Sequence, residues 1–235
     1  MKAVLHAVTW HVPGQIAEFW FKPAGRFTFV PGEYTELFVP HQNPDDRGQS
    51  REFSIASTPQ DKPYVSIITT FPAASQQQST FKQALRALQP GAEVDLAQAR
   101  GDFVLPKDLA IPIVFVVGGI GIVPALSVAR SLVDKPHPRH IQVLHSVSNK
   151  QALLGAEIFA DICDAYVPVS TVAQKSGLSG RVTASQVLQQ LHVTPRTLFY
   201  LAGPKSMTRD LQTQLIAADI PPTRIVVDEF SRYDP

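Results

Sequence analysis

The sequence predicts a β + α/β chain, an antiparallel β-barrel followed by a parallel-sheet, Rossmann-like α/β domain. Three observations carry this. Short strands punctuated by turn formers fill the first hundred residues, apolar strands alternating with longer helices fill the remainder, and a triple-glycine turn joins one such strand to a helix. The change of pattern follows Leu105-Pro106, which divides the chain into 1–106 and 107–235.

The barrel strands are read at Ala3–Trp10, Ile16–Phe21, Tyr34–Val39, Phe53–Ala56, Tyr64–Thr70 and Val94–Ala97. Pro13-Gly14, Pro31-Gly32 and Asn43-Pro44-Asp45-Asp46 lie between runs, where fixed or positive backbone angles make turns. After a polar loop at Ala73–Gln78, Thr80-Phe81-Lys82-Gln83 has capping-box spacing, and Phe81, Leu85 and Leu88 then share a helical face. The second half gives strands at Ile113–Val117, Ile141–Leu144, Tyr166–Val169, Leu198–Leu201 and Ile225–Val227. Helices are expected at Val123–Val133, Ala156–Ile162, Ala184–Leu191 and Lys205–Ala218, the last burying a Met207, Leu211, Leu215 stripe.

Composition narrows the function classes. With 235 residues, 44% hydrophobic and 17% charged, the chain is an ordinary globular protein able to bury two cores. Lys+Arg 21 against Asp+Glu 20 leaves +1, so bulk charge points to neither nucleic acid nor an anionic membrane. Cys163 is the only cysteine, which excludes an internal disulfide and a cysteine-ligated iron–sulfur cluster. The seven histidines show no close metal-ligand spacing, so no metal site is expected. The first residues lack a secretory apolar core, which makes a cytoplasmic location the expectation. Ala110–Ala129 is uncharged, but its prolines and glycines break it into a buried strand and helix, so no membrane span is expected.

Chemistry enters through several motifs. Gly118-Gly119-Ile120-Gly121 between strand and helix allows close backbone approach, and the helix start favours an anion; packing alone is the competing reading. Ala202-Gly203-Pro204 would sit at another strand end of the same sheet, where ligands bind, although Pro204 also suits helix initiation. In the first half, Arg51-Glu52-Phe53-Ser54 sets a cation and an aromatic on one strand face, with a hydroxyl beside them. Arginine can hold a phosphate, an aromatic ring can lie against a flat heterocycle, and serine can hydrogen-bond a ring nitrogen. A surface Arg, a core Phe and a turn Ser would give the same pattern.

The order of these motifs, with Gly101-Asp102-Phe103-Val104-Leu105-Pro106 between them and Glu229-Phe230 near the end, resembles the ferredoxin–NADP reductase-like flavoprotein family along essentially the whole chain. That resemblance implies an NAD(P)H-dependent oxidoreductase with FAD, and NADPH or NADH as donor. It assigns Arg51 to a flavin phosphate, Phe53 to the isoalloxazine ring, Ser54 to the region of flavin N5, and Ser79 and Thr80 to the FAD pyrophosphate. Gly118, Gly119, Gly121 and Pro124 would take the pyridine-nucleotide pyrophosphate, and Gly203, Pro204 and Met207 would lie beside the nicotinamide. Ser54, Glu229 and Phe230 would be the catalytic set, with Glu229 relaying a proton, although Tyr233–Pro235 also read as a frayed tail.

Two departures matter. Ala202 replaces the family's frequent cysteine, and the usual glycine ahead of Ser79 is missing. Arg51–Pro59 also matches the small NAD(P)H:flavin oxidoreductases, which use flavin as a substrate. A non-autonomous electron-transfer or nucleotide-sensing subunit is the alternative of another class. The acceptor would be a redox protein or a small molecule. The stretch Leu144–Lys150 holds no acid, and Ser146, Ser148 and Lys150 favour a 2′-phosphate and hence NADPH, a solvated loop being the alternative.

Overall fold

The computed structural model describes residues 1–72, 78–133, 135, 137–149, 153–172 and 179–229. They form two compact units, Met1–Val104 and Leu105–Pro235.

In the first unit, β1 (Lys2–Val12), β2 (Ile16–Pro23), β3 (Tyr34–Phe38), β4 (Ser50–Ser54), β5 (Val65–Thr70) and β6 (Glu93–Leu96) make one antiparallel sheet. Its order is β4-β3-β6-β1-β2-β5. A bridge between Ile55 and Ile67 brings the residue after β4 to β5, closing the strands into a barrel. Alternation along the strands points Leu5, Phe19, Phe21, Leu37, Phe53, Ile55 and Ile67 inward to one core. Phe81 and Leu85 of α1 (Thr80–Ala87) plug that core, each with no exposed surface.

Two local expectations change. The strand expected at Phe53–Ala56 begins at Ser50, because Ser50 and Arg51 pair with Phe38 and Leu37 in β3. The hydroxyl capping α1 belongs to Ser79, whose Oγ accepts from Lys82 N at 3.3 Å, while Thr80 is already helical. Thr80 Oγ1 accepts from Asp45 N at 3.0 Å instead. Residues 73–77 of the expected polar loop lie outside the described residues.

The second unit is a five-stranded parallel sheet in the order β11-β10-β7-β8-β9. Its strands are β7 (Ile113–Gly118), β8 (Ile141–Val147), β9 (Ala165–Ser170), β10 (Leu198–Gly203) and β11 (Ile225–Glu229). Both β7 and β8 are buried at every residue, as strands covered on both faces must be. The helices are α2 (Val123–Leu132), α3 (Ala156–Ile162), α4 (Ala184–Gln190) and α5 (Lys205–Ala217). Leu211 and Leu215 are fully buried, and Met207 packs partly buried against the same core. No described helix is long and apolar enough to cross a membrane.

Buried Arg139 staples the start of this unit. Its guanidinium donates to the carbonyls of Pro106 at 2.7 Å and Asp108 at 3.0 Å, so desolvation is offset by hydrogen bonds.

Candidate functional site

The chain order β7, β8, β9 runs outward across the sheet and then returns to β10 on the other side of β7. That reversal makes the carboxyl ends of β7 and β10 a topological switch point, where open α/β sheets leave a crevice. Register brings several sequence-expected residues to this edge: Gly118 pairs with Ser146, and Gly203 pairs with the backbone of Glu229. Phe230 lies outside the described residues, as does Lys150.

The glycines here divide into two kinds. A Cβ on Gly118 would stand 2.7 Å from Met207 Sδ, and one on Gly121 would overlap the Ala202 carbonyl. Gly203 would place its Cβ 2.9 Å from Met207 Cε and 3.1 Å from Gly118 N. These three permit the two strand ends and α5 to approach one another. Gly119 differs. Its φ of +52° is left-handed and nothing lies within 4 Å of its missing Cβ, so it shapes a turn that is open on that side. A short 3₁₀ turn, Gly119–Ile122, then leads into α2, whose second residue is Pro124. The first N–H groups of such a start have no partner within it and carry positive potential, which suits a phosphate.

A residue not expected from sequence braces this turn. His145 of β8, fully buried, has Nε2 3.0 Å from the Gly119 carbonyl oxygen and Nδ1 3.1 Å from Tyr166 Oη. Burial pulls its pKa down to about 4, only partly opposed by the Gly119 bond, so the ring is neutral near pH 7. Hydropathy gives no sign of it, since a lone core histidine looks the same. Burial, then Asp164, pushes the Cys163 thiol up to about 12, away from a thiolate near pH 7.

In the first unit, β4 and α1 position the Arg51-Glu52-Phe53-Ser54 motif. Arg51 and Phe53 do share the inner face, and both are occupied. Arg51 Nη2 donates to Asp45 Oδ1 at 2.8 Å, and Nη1 donates to the carbonyls of Arg47 and Gly48 at 2.9 and 3.0 Å. Partial burial opposes ionisation of Asp45, but Arg51's hydrogen bond and charge, helped by Arg47, hold its carboxyl below the usual range. Phe53 stacks on Phe81 at 6.0 Å inside the barrel core, with Lys82 Nζ 5.6 Å from its ring centre.

Ser54 is the exception. Its hydroxyl is buried and has no hydrogen-bond partner among the described residues. A desolvated hydroxyl left unpaired is costly, and such groups concentrate where a ligand completes them. The residue directly across the sheet is Tyr34, on the same face, and Arg100 lies 5.2 Å over the Tyr34 ring. Sequence reading passed over Tyr34 because only pairing register places it beside Ser54. Among the described residues no cluster of three acidic, histidine or cysteine side chains could hold a metal.

A model of the oxidoreductase NAD-binding domain family matches residues 115–213, which run from β7 through the first part of α5. The second unit thus resembles that NAD-binding domain family, and the chain as a whole has a ferredoxin–NADP reductase-like fold. Among individual proteins, it is 29% identical over 226 residues to Flavohemoprotein A of Dictyostelium discoideum, covering 92% of this chain and 56% of that protein. It is 24% identical to the propane 2-monooxygenase reductase component of Mycolicibacterium goodii, covering 88% of this chain and 60% of that one. The structure of a ferredoxin NADP+ reductase from Neisseria gonorrhoeae, with bound FAD and NADP, superposes with a TM-score of 0.79 at 21% identity over 98% of both chains. The chain therefore spans little more than half the length of these two curated relatives.

Proposed function

We propose that this chain is an NAD(P)H-dependent flavoprotein reductase that takes hydride from the nicotinamide into FAD and passes electrons to an acceptor. The observation that carries the reading is the meeting of Gly118–Gly121 with Gly203-Pro204 at the switch point of an oxidoreductase NAD-binding domain. Bound flavin would supply the redox chemistry, accepting electrons in a pair and releasing them singly or in pairs.

The protein's own task is to bind and orient. The unpaired Ser54 hydroxyl hydrogen-bonds the flavin ring near N5, and Ser79 and Thr80 present the start of α1 to the FAD pyrophosphate. Arg51 takes a flavin phosphate only by exchanging it for Asp45. Phe53 contributes by holding β4 against α1 through its stack on Phe81, which fixes both Ser54 and the helix start. Gly119, Gly121 and Pro124 shape the pyrophosphate seat of the pyridine nucleotide, while Gly203, Pro204 and Met207 flank the nicotinamide. Glu229 and Phe230 would complete the catalytic set, with Glu229 relaying a proton. The serines at the end of β8, with no acid among Leu144–Lys150, favour NADPH.

The direct test is the visible spectrum of purified protein supplied with FAD, recorded before and after gel filtration, followed by anaerobic addition of NADPH. Retained yellow colour that NADPH bleaches supports the reading. Protein that neither retains flavin nor oxidises NADPH with added flavin overturns it. Comparing kcat/KM for NADPH and NADH decides the donor, and an NADH preference removes the NADPH assignment.

The engagement of Arg51 by Asp45 favours a second reading, in which FAD or another flavin is a passing substrate of an NAD(P)H:flavin oxidoreductase. Colour lost on gel filtration with retained NADPH:flavin turnover selects it. Likeness to a reductase component of a monooxygenase favours a third, a non-autonomous electron-transfer or nucleotide-sensing subunit of a larger complex. Sustained NADPH-dependent ferricyanide reduction by the isolated chain excludes a subunit that works only in such a complex.

A further inference from the structure

The bond between His145 and Gly119 has a geometric consequence. A carbonyl oxygen only accepts, so Nε2 of His145 carries the hydrogen in their 3.0 Å contact. In the neutral ring Nδ1 is then an acceptor, and the Tyr166 hydroxyl 3.1 Å away must be the donor. Tyr166 is held in turn by stacking on Phe159 of α3, with ring centres 5.5 Å apart and planes 9° apart. Three elements, α3, β9 and β8, therefore converge on the orientation of one peptide group.

That group is the peptide between Gly119 and Ile120. In a planar trans peptide the C=O and N–H point in opposite directions, so a carbonyl drawn toward buried His145 turns the Ile120 N–H away from it. Glycine at a left-handed φ of +52° has more backbone conformations open to it than any other residue, so residue 119 does not by itself fix the orientation of this peptide. A site for an anion works best when its N–H donors are fixed beforehand, because orienting them on binding costs affinity.

We propose that His145, oriented by Tyr166, is a positioning residue that locks the Gly119–Ile120 peptide with its N–H turned outward to receive the dinucleotide pyrophosphate. This rests on the pyridine-nucleotide reading above and extends it to two side chains that do not themselves touch the ligand. It separates two roles within the β7 to α2 turn. The glycines allow the shape, and the histidine selects one orientation from those they allow.

The test uses the full chain and calorimetric titration with whichever of NADP+ and NAD+ the wild type binds more tightly, alongside steady-state kinetics with ferricyanide. His145→Leu removes the donor, whereas His145→Gln keeps an N–H near the position of Nε2. The expected result is dinucleotide affinity about tenfold weaker in His145→Leu, within about threefold of wild type in His145→Gln, with KM rising and kcat nearly unchanged. A purely structural histidine would show no such rescue at the level of affinity. Equal affinities in all three proteins, or equal weakening in both variants, overturns the proposal. Tyr166→Phe gives a separate decision should His145→Leu not fold: about threefold weakening is expected, and unchanged affinity refutes the orienting pair. A wild type that binds neither dinucleotide refutes the nucleotide reading itself, which marks that failure off from failure of the histidine's role.

Discussion

At the scale of single residues, Ser54 and the glycines make opposite predictions for stability. The Ser54 hydroxyl is buried without a partner among the described residues, so it opposes folding of the flavin-free protein. Ser54→Ala should raise the unfolding free energy of that form by about 1 kcal/mol while slowing flavin reduction by NADPH about tenfold. Urea denaturation and stopped-flow absorbance read the two effects, and an alanine variant that is less stable, or reduced at the wild-type rate, would show that the hydroxyl does other work. Among the glycines, Gly121→Ala drives a methyl into the Ala202 backbone and should cost about 3 kcal/mol or more. Gly119→Ala meets no atom within 4 Å and should cost only the left-handed backbone penalty of about 1–2 kcal/mol. Urea midpoints of the two variants should differ clearly, and equal losses would refute the division of the glycines into packing and turn-shaping positions.

At the scale of elements, β8 carries a pH dependence through His145. An unfolded histidine ionises near pH 6.5 and the folded one at about 4, because burial disfavours the charged ring. Between these values the unfolded chain binds a proton that the folded chain does not, so stability is complete above about pH 6.5 and falls as the pH drops toward 4. Linkage gives a loss of about 2 kcal/mol between pH 7 and pH 5. Unfolding free energies of wild type and His145→Gln at the two pH values isolate this contribution. If their difference does not change with pH, His145 is not buried as described.

The same element shows what sequence could and could not disclose. The apolar run into Gly118 and the Met207, Leu211, Leu215 spacing marked β7 and α5, because burial on both faces and helical periodicity are written directly in residue order. A histidine within an apolar strand carries no such mark, and its partners lie 26 residues before it and 21 after it. Asp45 is hidden for a similar reason. It pairs with Arg51 while Thr80, far along the chain, accepts its backbone N–H, and the second contact is one that residue order does not disclose. The choice of Ser79 over Thr80 as helix cap was equally closed to sequence, since two adjacent hydroxyl residues satisfy the same preference and backbone angle decides between them.

At the scale of the whole molecule, the candidate contacts fall in two units with separate cores, which makes ligand effects separable. Direct contact protects amides that exchange by local fluctuation, whereas binding linkage protects amides that exchange only by unfolding, by about 2.7 kcal/mol at one hundred times Kd. FAD should therefore slow exchange locally in peptides spanning β4 and the start of α1. Pyridine nucleotide should do so in peptides spanning Gly118–Pro124 and Gly203–Thr208. Broad protection confined to the slowest core amides would report linkage alone and place no site, so the fast amides of the turns are the informative ones. Hydrogen exchange with each ligand separately reads both patterns. FAD protection at the glycine turn without protection at β4 would reverse the assignment, because the Ser54 hydroxyl would then remain unpaired with flavin bound and its burial would need another cause.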